Sequence, residues 1–282
     1  MLVTGGSGGI GKETAKILLS KNAKVYIAAR NATTGAEAVQ ELAKLTGKTP
    51  VFLKVDLVDL KSVKAAAEEF QSKEPKLDVL FNNGGVMFPP WEKTTVDGYD
   101  LQFGTNVLGH FYLTKLLPQL TAAAQSSPDG KARVINTSSM GHMVFNPSLD
   151  FDTFKDGPAR KKLDEKKLYG QSKFGNVVFS NELARRYVNQ GIVSISLHPG
   201  NIKTDLSRHS SPAERALANW MLYPVSLGVL TQLYAGTTPE ALKLSGKYMI
   251  PWARVGKAHK ATDDPEQAVK LWDWLEEQVK GL

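Results

Sequence analysis

Apolar positions along the chain alternate between two periods. Dense apolar runs of strand type fall at 2–4, 23–30, 51–57, 77–85, 131–139 and 192–200. Between them, 11–21, 34–46, 60–73 and 170–189 repeat their apolar residues at helical spacing, and 99–125 reads as one long helix after Gly98. A last short strand is expected within 245–258, and a closing amphipathic helix over 265–280. This alternation predicts a mostly parallel, seven-stranded sheet with helices on both faces. The right-handed crossover rule makes it a doubly wound α/β fold, one domain spanning residues 1–282.

No internal repeat or strong linker divides the chain. Looser stretches at 126–131 and 145–168 interrupt the pattern, and insertions at about 142–168 and 205–225 are expected to form substrate-side walls. Only Met1, Leu2 and Val3 precede Thr4. A central strand that short would leave its neighbours partly unpaired, so a start displaced from the native one is an expectation to test by intact mass.

Composition narrows the chemistry. With 42% apolar and 22% charged residues in a chain of 282, extended disorder and fibrous repeats are excluded as the main state. The absence of cysteine excludes disulfides, thiolate metal sites and cysteine nucleophiles. The net charge of +7 has three readings: a generic basic surface, attraction of a phosphorylated cofactor, or nucleic-acid binding. The last is weakest, because the basic residues are dispersed and no reader motif accompanies them. The densest run, Ala159–Lys167, carries its own acids and reads as a solvated helix or loop. The longest apolar stretch, from Trp220, is short for a membrane span and contains a proline. A cytoplasmic enzyme fits, with peripheral membrane contact left open.

The first strand runs into Thr4–Gly11, TGGSGGIG, which opens a helix. Gly5, Gly9 and Gly11 permit a tight turn and close backbone approach to a pyrophosphate, while the helix N-terminus offers free N–H groups. No Lys-Ser/Thr pair follows, so this is not a Walker loop. The second strand ends at Arg30 and Asn31, where an acid would bind an adenosine ribose; a guanidinium suits a 2′-phosphate and favours NADP(H) over NAD(H). Asp56 and Leu57 end the third strand and could border the adenine. Asn82, Asn83, Gly84 and Gly85 end the fourth, where small residues let a nucleotide lie close.

Tyr169 and Lys173 stand four residues apart on one helical face. An ammonium there would lower the phenol's pKa while leaving the neutral form able to donate its proton. Ser138 and Ser139 end the fifth strand, where one hydroxyl could hold a carbonyl oxygen or simply cap a turn. Asn106 inside the long helix is an unfavoured former, marking a kink, a polar relay or a tolerated residue.

Taken in order, TGGSGGIG, VDL, NNGG, Asn106, INTSS, YGQSK and HPGNIKT resemble the short-chain dehydrogenase/reductase family over nearly the whole chain. NNGG departs from the family's N-N-A-G at Gly84, a loss of one methyl that should be tolerated. Within the family the chain is most similar to the retinol-dehydrogenase and WW-domain-oxidoreductase-like branch, especially its fungal members. The resemblance implies a single Rossmann domain and a catalytic tetrad of Asn106, Ser139, Tyr169 and Lys173. Tyr169 would be general acid or base, Lys173 would lower its pKa and bind the nicotinamide ribose, Ser139 would orient the substrate oxygen, and Asn106 would hold a relay water. It also implies cofactor contacts from Gly5, Ser7, Gly9, Ile10, Gly11, Arg30, Asp56, Leu57, Asn82, Gly84, Pro199, Gly200, Ile202 and Thr204, with no metal.

An apolar substrate pocket is expected from residues after the strand ends, chiefly Met87, Met140, His142, Phe145 and Leu206, with Trp220, Met221 and Tyr223 as further candidates. The leading expectation is an NADP(H)-dependent carbonyl reductase or alcohol dehydrogenase acting on a lipophilic or aromatic small molecule. Reduction of a C=C or imine bond, or a non-catalytic NADP(H)-binding scaffold, are the alternatives. A homodimer through the helices carrying Asn106 and Tyr169 is one arrangement that relatives adopt.

Overall fold

A computed structural model describes residues 1–204, 206 and 222–282. Among these residues eight strands form one sheet: β1 Leu2–Thr4, β2 Tyr26–Ala29, β3 Val51–Lys54, β4 Val79–Asn82, β5 Ala132–Thr137, β6 Ile192–Leu197, β7 Tyr248–Ile250 and β8 Arg254–Val255. Their order is β3-β2-β1-β4-β5-β6-β7-β8. All adjacent pairs are parallel except β7 with β8. The eighth strand, an addition to the seven expected, is a two-residue return of the chain onto β7. Chain order reverses between β1 and β4, which opens a crevice beyond their carboxyl ends.

Alternation along the strands fills both faces. Leu2, Tyr26, Ala28 and Leu80 point into one core with Val63, Phe70, Phe111, Phe174 and Trp272. Val3, Ile27, Val79 and Phe81 point into the other, with Leu18, Leu19, Leu42 and Ala235. The helices on these faces are α1 Gly9–Ser20, α2 Ala32–Thr46, α3 Leu60–Lys73, α4 Leu101–Phe103, α5 Gly109–Lys115, α6 Gln119–Ser126, α7 Gly141–Val144, α8 Glu165–Arg186, α9 Val225–Gly228, α10 Leu230–Thr237 and α11 Pro265–Gln278.

Strands β3 to β6 stop short of their expected ends. Residues 55–57, 83–85, 138–139 and 198–200 leave the sheet and surround the crevice. The expected single helix over 99–125 is divided. A π-turn at Gly104–Leu108 joins α4 to α5, with Asn106 inside it. Pro118, which has no N–H to donate, separates α5 from α6. Helix α8 begins earlier than expected, where Asp164 accepts from Lys167 N at 2.7 Å. It is buried nearly all round from Leu168 to Ser180, so it lacks a polar stripe in its middle.

The run Ala159–Lys167 corrects the sequence reading. Arg160 is one of the largest fully buried side chains rather than part of a solvated face. Its Nε donates to Asp100 Oδ2 at 3.1 Å, Nη1 to Asp156 at 3.2 Å, and Nη2 to the carbonyls of Lys93 at 2.8 Å and of Trp91. One guanidinium therefore fastens the insertion before α8 to the segment after β4. Helix α11 lies across α5 and α8, the pair expected to carry a dimer. Trp272 packs edge-on to Phe111 at 5.2 Å and tilted on Phe179 at 6.0 Å, and Arg186 sits 4.9 Å over its ring.

Candidate active site

The glycine-rich turn between β1 and α1 is shaped by close approach. Gly5 has φ +65°, and a Cβ there would lie 2.9 Å from the Cα of Gly84. A Cβ on Gly11 would lie 2.3 Å from the carbonyl oxygen of Gly5. The turn is thus folded back on the chain that ends β4. Gly8 caps α1 with no side-chain hydrogen bond, so the first N–H groups of the helix face the crevice without a protein acceptor from the cap. Ser7, Gly9 and Ile10 are partly buried along this rim. The segment Pro199–Thr204 crosses above it: the methyl of Thr204 would be 3.4 Å from a Cβ on Gly9. Gly200 has φ +96° and faces Pro251 and Trp252, while Ile202 pairs with Tyr223 and packs on Gly228. A narrow cradle of backbone, with uncapped helix N–H groups at one end, fits a dinucleotide pyrophosphate.

Thr4 ties this cradle to β4. Its hydroxyl accepts from Asn83 N and Gly84 N, both at 2.9 Å, and its carbonyl accepts from Asn83 Nδ2 at 2.9 Å. Asn82, expected at the cofactor, is turned the other way. Its amide donates to Asn136 Oδ1 at 2.9 Å and to Thr114 Oγ1 at 3.1 Å, inside a buried polar chain that continues to Ser194 and Ser180. As the last residue of β4 it takes the inward side of the pleat, leaving Asn83 and Gly84 to the crevice. A methyl on Gly84 would meet Leu57 Cδ1 at 3.1 Å and Gly5 N at 3.2 Å, so the space for the family's alanine is narrow. Leu57 is buried here, and Asp56 spends one carboxylate oxygen on Val58 N at 3.3 Å. Arg30 is exposed at the end of β2 and makes no ion pair among the described residues. Asn31 beside it caps α2 by accepting from Thr34 N at 3.0 Å.

The four residues of the expected tetrad converge where β5, α5 and α8 meet. Ser138 and Ser139 have separate tasks. Ser138 donates to the carbonyl of Lys173 at 2.7 Å and is buried, whereas the Ser139 hydroxyl accepts from Gly141 N at 3.0 Å and neighbours the Tyr169 phenol closely enough to lower its pKa. Lys173 Nζ donates to Thr137 O at 2.9 Å and lies 5.9 Å from the Tyr169 ring centroid. Asn106 is held by Val86, accepting from its N–H at 2.9 Å and donating to its carbonyl at 3.1 Å, and it donates to Ser172 Oγ at 3.0 Å. A Cβ on Gly85 would lie 2.9 Å from Asn106 Oδ1 and 3.7 Å from Lys173 Nζ, so this glycine keeps open the gap between the two.

The electrostatics differ from the sequence expectation. Burial pushes the Tyr169 phenol up to about 12, and only the neighbouring Ser139 acts downward. Burial pushes the Lys173 ammonium down to about 7. The ammonium is aimed at a carbonyl of β5 rather than at the phenol, so it does not produce the expected fall in the tyrosine pKa. Burial thus favours the neutral, proton-donating form of Tyr169 and draws Lys173 toward its neutral form.

The comparisons with known proteins fit this geometry. The short chain dehydrogenase family model matches residues 1–149, and a short-chain dehydrogenase/reductase of Armillaria gallica is 56% identical over 281 residues, 99% of this chain and 90% of its own. The chain belongs to the short-chain dehydrogenase/reductase family. Mouse retinol dehydrogenase 12 is 37% identical to this dehydrogenase/reductase, covering 97% of it and 84% of the mouse protein. Among solved structures, the Pseudomonas aeruginosa RhlG/NADP active-site complex superposes with a TM-score of 0.67 at 26% identity, covering 89% of this chain and 93% of that one.

The crevice beside Tyr169 in this dehydrogenase/reductase is lined with aromatic rings. Phe88, with φ +51°, places its ring edge-on to Tyr169 at 5.1 Å and to Phe145 at 5.7 Å. Its N–H donates to Gln102 Oε1 at 3.1 Å, and the other end of that amide donates to Glu165 O at 2.8 Å, at the start of α8. Phe145 is thus brought to the site through Phe88, beside a partly buried Met87, and Met140 is exposed on the rim next to Ser139. Tyr223 packs edge-on to Trp252 at 5.0 Å, a further wall near Gly200. Leu206 lies beyond Thr204, whose hydroxyl accepts from its N–H at 3.3 Å. Trp220 and Met221 lie outside the described residues.

His142 is removed from the pocket. Its Nδ1–H donates to Ser139 O at 2.6 Å and its Nε2 accepts from His259 N at 3.1 Å, so both ring nitrogens are used and the side chain is fully buried. It props the turn that presents Ser139. Arg160, Gln102, Trp252 and His110 carry no local signal in the sequence, because they have partners far away in the chain. Among the described residues no group of three or more His, Asp or Glu could hold a metal ion, and no helix is long and apolar enough to cross a membrane.

Proposed function

We propose that this enzyme reduces a carbonyl group of a lipophilic or aromatic small molecule with NADPH, and runs the reverse alcohol oxidation when cofactor ratios demand it. The observation that carries the reading is the buried Tyr169 phenol, beside Ser139 and Lys173 and walled by Phe88 and Phe145. When bound, the cofactor supplies the hydride to the carbonyl carbon.

The chain's own groups do the rest. The Ser139 hydroxyl orients the substrate oxygen within reach of Tyr169. The phenol donates its proton to that oxygen as negative charge develops there, which needs a donor that stays protonated at neutral pH. Lys173, its pKa brought down to about 7 by burial, passes a proton toward the phenolate that this leaves. Asn106, across the gap kept by Gly85, lines the route from Lys173 toward solvent. The aromatic wall excludes water and matches an apolar substrate. The retinol-dehydrogenase-like branch is supported by the mouse relative's 37% identity.

The exposed Arg30 guanidinium, without an ion pair among the described residues, would take a 2′-phosphate, which supports NADP(H) over NAD(H), as does the NADP held by RhlG. NADPH consumption across an aldehyde, ketone and enone panel tests the reaction. Turnover of aldehydes or ketones is expected; consumption with the enones alone would contradict it. Arg30→Ala should weaken NADPH at least tenfold while changing NADH little. Equal losses for both would remove the 2′-phosphate role.

A further inference from the structure

Behind the crevice, one buried ring touches both halves of the site. His110, on α5, is 1% exposed. Its Nδ1 lies 3.0 Å from the carbonyl oxygen of Asn106, four residues earlier in the π-turn. Its Nε2 lies 2.8 Å from the hydroxyl of Thr4, at the head of the glycine-rich turn.

The protons on this link follow from counting. A carbonyl oxygen only accepts, so Nδ1 carries the hydrogen and donates to Asn106 O. The Thr4 hydroxyl has one proton and two lone pairs, and both lone pairs already accept from Asn83 N and Gly84 N at 2.9 Å. Its one proton has two acceptors within reach, Nε2 at 2.8 Å and the carbonyl of Phe81 at 3.2 Å, and it goes to the nearer, because a neutral ring with its hydrogen on Nδ1 offers Nε2 only as an acceptor; an imidazolium would leave one N–H with no acceptor. Burial, which holds the ring's pKa down to about 4, agrees with a neutral ring. The Asn106 carbonyl takes a second donor, Asn176 Nδ2 at 2.7 Å, from α8. A single chain of hydrogen bonds thus runs from the cofactor turn through Thr4 and His110 to Asn106, and on to the helix that carries Tyr169 and Lys173.

We propose that His110 is a positioning residue that sets the cofactor turn and the catalytic asparagine against each other, each through one ring nitrogen. This rests on the function proposed above. Its two nitrogens can be tested apart. Asparagine places an amide N–H near Nδ1, and glutamine places an amide oxygen near Nε2. His110→Asn keeps the bond to Asn106 and loses that to Thr4, so the NADPH Kd should rise about tenfold with kcat within twofold. His110→Gln keeps the partner of Thr4 and loses the donor to Asn106, so kcat should fall about tenfold with the NADPH Kd within twofold. Losses in the same ratio for both variants, or no loss in either, would overturn the proposal.

A readout on the unaltered protein does not depend on activity or on the variants folding. In ¹⁵N-histidine NMR, His110 should show the Nδ1–H tautomer and no titration between about pH 5.5 and 8. A protonated ring or an Nε2–H tautomer would overturn the link. Wild-type protein that neither binds NADPH nor consumes it would instead overturn the reading of function, with the tautomer still deciding the hydrogen-bond chain.

Discussion

Lys173 is an ionisable group buried without a carboxylate partner among the described residues, and replacing it with methionine should separate stability from activity. The native ammonium is pushed from 10.5 down to about 7 by burial alone. At about 1.36 kcal/mol per unit, that fall corresponds to a folding penalty on the order of 5 kcal/mol wherever the lysine is charged in both states. The unfolded chain keeps its ordinary value. Between pH 7 and 10.5 the unfolded state binds the extra proton, so stability from this group rises with pH across that window and falls to its minimum below it. Lys173→Met abolishes the penalty but strands the Thr137 carbonyl, which now accepts from Nζ at 2.9 Å. A buried unpaired acceptor costs about 1–3 kcal/mol.

The net result is a variant more stable than wild type by about 2–4 kcal/mol at pH 6, or roughly 4–8 °C in Tm. By pH 9 the native penalty has shrunk to about 2 kcal/mol, and the two proteins should melt together. Urea unfolding of both proteins at pH 6 and pH 9 measures this directly. A variant less stable than wild type at pH 6, or a gap independent of pH, would refute the reasoning. The same variant should lose nearly all turnover, a trade of activity for stability at a functional group.

Two further substitutions probe the surroundings. Gly85→Ala would put a methyl 2.9 Å from Asn106 Oδ1, so kcat should fall at least tenfold while circular dichroism stays native; wild-type turnover would show that the gap is not used. Arg160→Met leaves Asp100 and two backbone carbonyls without their donor, and should cost about 3–5 kcal/mol in urea unfolding, with limited proteolysis appearing first in 145–163; an unchanged midpoint would dismiss Arg160 as the fastening point.

The parts of this site that were legible in the sequence are those set by local geometry. The glycine turn, the Tyr169/Lys173 spacing and the doubly wound order each follow from a period or a turn that neighbouring residues dictate. What was not legible depends on distant partners. Arg160 sits in a basic run that looks solvated because Asp100 is 60 residues away. Asn82 and Asn83 look alike, and only the pleat of β4 decides which of them faces the crevice. His142 resembled a pocket residue until His259 N and Ser139 O took both its nitrogens. The direction of the Tyr169 shift was missed because burial, which sequence spacing does not report, outweighs a lysine aimed elsewhere. The strand ends were overrun because their apolar pattern continues into residues that leave the sheet to build the crevice.

The central claim is that the Tyr169 phenol donates the proton in carbonyl reduction. Single-turnover NADPH oxidation by Tyr169→Phe, with the NADPH Kd measured on the same sample, tests it most directly. The expected result is a loss of at least a thousandfold in the chemical step with NADPH binding within twofold of wild type. A variant that still turns over at a rate near wild type would contradict it.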